Sequence, residues 1–365
     1  MFSLSRRRPG ASARLARTVA LALVPAAALA ACSSGSGDDV QSSAAGGPCT
    51  PPDVPVINFT AYSTPREVYG KIIPEFVSQW KEDHDDQNVI FQESYAGSTT
   101  QAANVIAGYE ADVVALSLGP DVDQIADAGL ITHDWEAAAD GGMVSTSVVV
   151  FGVRPGNPKG LEDWDDLAAE GVEILTPDPA SSGGARWNIV SLWGSALNGY
   201  GGVAKGDEAG ATELLKGMLG NVIVFDKSAR DSIQNFEAGN GDVAITYENE
   251  VLTAQAAGEE NPAVYPPSSV LIENPVAVVD ANVDKHCVRD VAEAFVEFLH
   301  TPEVKELYTE VGFLRSTDIK EARKGGGQFP PMEDLWDVDE FGGWDALNGQ
   351  LFSDGGIATT AIAGG

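Results

Sequence analysis

The stretch Val172-Glu173-Ile174-Leu175-Thr176-Pro177-Asp178-Pro179-Ala180-Ser181-Ser182-Gly183-Gly184-Ala185-Arg186 passes from an apolar β-rich run, through a small-residue turn, into a helical pattern. In that pattern Ile189, Leu192, Trp193, Ala196 and Leu197 recur at i, i+3, i+4, i+7 and i+8, which predicts a helix with one buried stripe. Strand, turn and amphipathic helix together form half of a βαβ unit, the building block of sheets covered by helices. Glycines at the helix start let an anion approach the backbone. The turn lacks the lysine of a phosphate-binding P-loop, its GxxxxGK[ST] spacing, and GxGxxG, which disfavours nucleotide binding.

The same alternation continues on both sides. Runs at 56–62, 89–94, 113–118, 148–153, 172–176, 222–225, 243–247 and 276–279 read as strands, and helices at 291–300 and 302–311 precede a Gly-rich C-terminal segment. Three more junctions carry helix-start signals. Thr64 and Glu67 match a capping box with Pro65 at the first helical position, Ser98 precedes Gln101 by three residues, and Ser228-Ala229-Arg230-Asp231 follows the run at 222–225. Ligands of open α/β sheets bind at the carboxyl ends of strands, where helix N-termini present unpaired N–H groups and a positive dipole end. Four such ends at one cleft would cage an anion without any formal charge, although each junction alone also serves as plain capping.

The chain has 365 residues, with 22 Lys and Arg against 54 Asp and Glu. That length exceeds the roughly 250–300 residues at which one core stops growing, so two lobes are expected. The acidity and the lack of a Lys/Arg patch exclude nucleic acid as a partner. Residues 1–31 differ from the rest: Arg6, Arg7, Arg8, Arg14 and Arg17 precede an apolar run too short to stay in a bilayer, which reads as an export signal. It ends Leu29-Ala30-Ala31-Cys32, resembling the lipobox in which a cysteine is lipid-modified after cleavage. Removal of the signal leaves 17 basic and 54 acidic groups, a formal charge of −37. Residues 32–52 have the composition of a flexible tether. Export puts the remaining Cys49 and Cys287 in an oxidising compartment, where a disulfide is expected, the alternative being two thiols whose α-carbons never approach.

Gly97-Ser98, Glu110 to Leu116, Asn157-Pro158-Lys159, Ser181 to Asn188, Ser228-Ala229-Arg230, Tyr247 to Glu250 and Phe341 to Trp344 resemble the sulfate-binding proteins of bacterial sulfate/thiosulfate ABC importers, in the family's order. The resemblance implies a type II two-lobe periplasmic-binding-protein fold of the α/β class, each lobe a mainly parallel sheet covered by helices. The lobes would be residues 53–145 with 281–365, and 146–280, joined by hinge strands near 147–154 and 274–280. It also implies a dehydrated sulfate held by backbone donors at Ser63, Ser98, Gly183, Gly184 and Ala229 and by the Ser182 hydroxyl. At position 247 the family often has a tryptophan donor; Tyr247 would donate from a different reach. Arg66, Arg186 and Arg230 would stand behind the donors, paired with carboxylates or helix ends. The implied partners are sulfate or thiosulfate, a membrane permease, and the membrane through the lipid on Cys32, with the protein a monomer and no cofactor. A thiosulfate- or molybdate-preferring relative is the alternative.

Selectivity follows from a donor-only cage. Sulfate carries no proton at neutral pH, whereas phosphate carries at least one and would leave its O–H unpaired at a cost of about 1–3 kcal/mol. The expectation requires Asp178, Asp231 and Glu248 to point away. Catalysis is disfavoured because His84, His133, His286 and His300 sit in different segments and no GxSxG occurs. The charged run Lys81 to Asp86 reads as a solvated loop rather than a metal site.

Overall fold

A computed structural model describes residues 49–364; the export signal, Cys32 and most of the tether lie outside them. The strands are β1 (Val56–Tyr62), β2 (Ile90–Ala96), β3 (Val113–Ala115), β4 (Met143–Val153), β5 (Ile174–Pro177), β6 (Val222–Asp226), β7 (Val243–Tyr247), β8 (Ala263–Val264), β9 (Ser268–Val278) and β10 (Asp334–Trp336). Their order is β2-β1-β3-β9-β4-β7-β5-β6, with β10 beside β9 and β8 beside β4. Helices are α1 (Arg66–Asp83), α2 (Ser98–Ile106), α3 (Gly119–Asp127), α4 (Gly183–Leu197), α5 (Glu208–Gly220), α6 (Ala229–Glu237), α7 (Glu248–Ala256), α8 (Asp280–His286), α9 (Arg289–Leu299), α10 (Pro302–Glu310), α11 (Ile319–Lys324), α12 (Gly343–Leu347) and α13 (Ile357–Gly364).

Two parallel trios, β2-β1-β3 and β7-β5-β6, flank a long antiparallel pair. β9 pairs with β3 through Val276–Val278 and with β4 through Leu271–Pro275, while β4 continues past it to pair Val149–Val153 with β7. Each long strand thus has one end in each half of the sheet. The pattern at 276–279 captures only the end of β9, because Ser268, Ser269 and Asn274 interrupt its apolar run although all three are fully buried. Their hydroxyls are satisfied inside: Ser268 donates to Asp334 at 2.7 Å and Ser269 to the Val149 carbonyl at 3.2 Å. The run expected at 113–118 pairs only as far as Ala115.

One core packs α1, α9 and α10 on the first trio, with Phe59 meeting Tyr69 and Phe295 edge to face at 4.7 and 5.5 Å. The other centres on α4 and β4. Here two expectations change. Instead of one buried stripe, α4 is buried on nearly every face, from Gly183 to Ala196. Its outer side is covered by the C-terminal segment, and a Cβ on Gly194 would lie 2.2 Å from the Trp336 ring, so only glycine admits that ring. Residues 281–365 were expected as one piece of the first lobe, yet Trp336, Val338, Leu347, Leu351 and Ala358 share a core with Trp187, Trp193 and Leu215. Apolar residues at the chain end cover whichever hydrophobic face is open, and here that face belongs to α4 and α5. Cys49 and Cys287 are joined as a disulfide with Cα atoms 5.4 Å apart.

Candidate anion-binding site

The carboxyl ends of β1, β2, β5 and β6 lead into α1, α2, α4 and α6, so the four junctions meet along one edge between the sheet halves. Ser63, Ser98, Ser182, Ala229 and Tyr247 are all buried there, none more than 8% exposed. A Cβ built on Gly184 would lie 3.4 Å from Ser182 Oγ, 3.5 Å from the Ala229 Cβ and 3.5 Å from the Tyr247 ring, so these four converge. A Cβ on Gly183 would fall 2.2 Å from Ser117 Oγ and 2.7 Å from Leu118, which lets the other half of the molecule close onto the start of α4. The halves also touch where Thr100 N–H donates to the Ser181 carbonyl at 3.1 Å and Trp187 Nε1 to the Ser117 carbonyl at 2.6 Å.

The caps differ in a way that matters for binding. Ser228 accepts from Asp231 N–H at 3.1 Å and is spent on its own helix, whereas Ser182 makes no capping bond and its hydroxyl stays available. Gly97, not Ser98, caps α2; the Ser98 hydroxyl donates to Asp121 at 2.6 Å and accepts from Ser117 N–H at 3.0 Å, leaving only its N–H for a ligand. The capping box expected at Thr64 and Glu67 is absent: α1 starts at Arg66 without a side-chain cap, and Glu67 pairs with an arginine instead.

That arginine is Arg230, which donates to Glu67 at 2.6 and 2.9 Å, to Glu250 at 2.8 and 3.2 Å and to the Thr64 carbonyl at 3.1 Å. Arg186 donates to the Pro179 carbonyl at 3.1 Å and stands over the Phe352 ring, and Arg66 lies 4.6 Å from the centre of the Tyr95 ring at the cleft mouth. The acids are equally engaged. Asp178 accepts from Ala180 N–H at 2.8 Å, Asp231 from Ser228 at 2.8 Å, and Glu248 takes two 2.6 Å bonds from the buried Arg315. Burial raises the carboxyl pKa of Asp121 and the phenol of Tyr247, so Tyr247 stays a protonated donor.

Among the described residues, the hydroxyls of Tyr62, Thr64, Ser117 and Tyr247 are buried here with no partner in good hydrogen-bond geometry, Tyr62 lying close to Thr64 and Tyr247 close to Ser117. Buried polar groups are ordinarily paired, and these hydroxyls, satisfied at most weakly by one another, keep donor capacity for a ligand at the helix N-termini. Sequence reasoning passed over Tyr62 and Ser117, although Tyr62 ends β1 and Ser117 lies just past β3, the places where sheets of this class hold ligands. No group of three His, Cys, Asp or Glu among the described residues could hold a metal ion, and no helix there is long and apolar enough to cross a membrane. His84 instead stacks on Trp80 with ring centres 3.5 Å apart.

A family model for the bacterial extracellular solute-binding proteins matches residues 57–314. The sulfate-binding protein of Synechococcus elongatus is 40% identical over 341 residues, covering 93% of each chain, and that of Escherichia coli is 40% identical over 309 residues, 83% of this chain and 92% of its own. The thiosulfate-binding protein of Escherichia coli is 33% identical over 311 residues, 84% of this chain and 90% of its own. Among solved structures, the sulfate-binding protein SubI from Mycobacterium tuberculosis H37Rv superposes with a TM-score of 0.73 at 33% identity, covering 82% of this chain and all of that one. These relatives are binding proteins, and the two parallel half-sheets bridged by β4 and β9 are the two-lobe type II arrangement. The chain is a member of the bacterial extracellular solute-binding protein family, a binding protein and not an enzyme.

Proposed function

We propose that the protein captures sulfate between its two lobes and delivers it to the membrane permease of an ABC importer. The observation that carries this reading is the convergence of helix N-termini and buried hydroxyls with donor capacity to spare, in a cleft where Arg230 and the carboxylates Glu67, Glu248 and Glu250 are committed to ion pairs. Donors at the Ser63, Ser98, Gly183, Gly184 and Ala229 N–H groups and the Ser182 and Tyr247 hydroxyls would surround the four oxygens. Arg66, Arg186 and Arg230 stay outside, and Asp178, Asp231 and Glu248 supply no acceptor for a protonated anion. The lobes meet along β4 and β9, which act as the hinge. A lipid on Cys32, followed by the tether, holds the monomer at the outer face of the membrane.

Calorimetric titration of residues 32–365, carrying Cys32→Ser to prevent lipidation, tests the reading with sulfate, thiosulfate, molybdate and phosphate. Tight sulfate binding with phosphate rejected is the expected result. Phosphate bound as tightly would mean that a carboxylate lies inside the cage, and preferred thiosulfate would favour the second reading, which rests on relatives 33–36% identical over 84% and 83% of the chain.

A further inference from the structure

Gly97 sits between β2 and α2 with φ −61° and ψ 140°, an ordinary extended conformation that any residue adopts. Its backbone therefore gives no reason for glycine. The surroundings do: a Cβ there would lie 2.3 Å from the Ser181 carbonyl oxygen and 2.9 Å from the Lys227 carbonyl oxygen. Both oxygens belong to the opposite half of the sheet, one before α4 and one before α6. Neither can swing aside, because they are main-chain atoms held by hydrogen bonds. Thr100 donates to the Ser181 carbonyl through its N–H at 3.1 Å and its hydroxyl at 3.2 Å, and Ser181 Oγ donates to the Lys227 carbonyl at 2.9 Å.

From this we infer that Gly97 sets how far the cleft closes, and through closure sets anion affinity without touching the anion. The inference rests on the sulfate-capture reading. The missing side chain lets the start of α2 dock against the loops before α4 and α6, which carries the Ser98 N–H to the place where Ser182, Gly183 and Gly184 converge. A methyl group at 97 stops that approach and holds the lobes apart. In an open molecule the same methyl would meet neither carbonyl, so the free protein tolerates it. Gly97 is thus a positioning residue for binding, and its effect appears only on the closed side of the equilibrium.

The test compares the wild type, Gly97→Ala and Gly70→Ala, all in the Cys32→Ser background; Gly70 lies on α1 where a Cβ would meet nothing within 4 Å. Sulfate is titrated by calorimetry, compaction is followed by small-angle X-ray scattering with and without sulfate, and melting is measured in both conditions. Gly97→Ala is expected to melt like wild type without sulfate, to fail to compact, and to bind on the order of 100-fold more weakly. That loss corresponds to the two donors of the first lobe, Ser63 and Ser98, no longer reaching the anion, each charge-assisted bond being worth about tenfold or more. Gly70→Ala is expected to match wild type in affinity and compaction and, as an unstrained change inside a helix, to melt slightly higher. A Gly97→Ala protein that binds within twofold and compacts normally overturns the inference alone, as does one that melts well below wild type in the free state, since the contact would then belong to the fold rather than to closure. A wild type that takes up no sulfate overturns the capture reading and this inference with it.

Discussion

Tyr247→Phe separates ligand binding from folding because only binding should change. The hydroxyl is buried with no partner in good hydrogen-bond geometry, the Ser117 hydroxyl lying close by, in a side chain only 1% exposed, and its ring lies 6.5 Å from that of Tyr62. In the free protein, with the lobes open, a cleft hydroxyl that the fold does not pair can be met by water, so deleting it should leave stability close to that of wild type. In the complex the same deletion removes a donor to a dianion, worth about 1.5–3 kcal/mol, or roughly 10- to 150-fold in Kd. Phenylalanine preserves the ring volume, so no cavity cost confuses the comparison. Calorimetric titration with sulfate gives the first quantity and thermal melting without sulfate the second. A Kd within twofold of wild type would refute the placement of Tyr247 among the donors. A free protein that melts several degrees lower would show instead that the hydroxyl serves the fold.

Three further outcomes follow from the charge network and the crosslink. Arg230→Gln should lower the melting temperature, since it leaves Glu250 buried without its cation, and breaking such a pair costs about 3–5 kcal/mol. Burial holds the carboxyl of Glu250 up at about 7 even beside Arg230, so the loss should be larger at pH 8 than at pH 5, where the acid takes up a proton; an equal loss at both would count against it. Burial, with Asp337 and Asp339 nearby, also lifts Glu273 from 4.5 to about 7. A raised carboxyl stabilises the fold below its unfolded pKa, and that contribution is lost as pH rises through about 4.5 to 7. Glu273→Gln should therefore be more stable than wild type at pH 8, by up to about 3 kcal/mol, and converge with it near pH 4; a constant difference across that range would refute the assignment. Replacing Cys49 and Cys287 by serine opens a loop of sequence separation 238 and should cost up to about 5 kcal/mol by chain entropy, while sulfate affinity stays unchanged because the disulfide lies away from the cleft. A weakened Kd would link the disulfide to the site.

Much of the fold was legible in the sequence because it rests on local signals. Apolar runs of strand length, helical stripes such as Ile189 to Leu197, and Ser or Gly at the four junctions are properties of a dozen neighbouring residues, and they place β1, β2, β5 and β6 before their helices. The length of β9 was not legible, since Ser268, Ser269 and Asn274 look like surface residues until Asp334, Val149 and their neighbours supply the partners.

The sequence by itself determined the order of strands and helices, the family resemblance, and which helix N-termini could face an anion, because periodicity and capping act over one or two turns of chain. Only the tertiary structure decided which of those termini converge and where the arginines spend their charge. It brought Glu67 to Arg230 across 163 positions and laid the segment from Trp336 onward over α4. The close approach of Gly97 to Ser181 belongs to the same class. Such pairings depend on distances between residues far apart in sequence, and only the folded chain sets those distances.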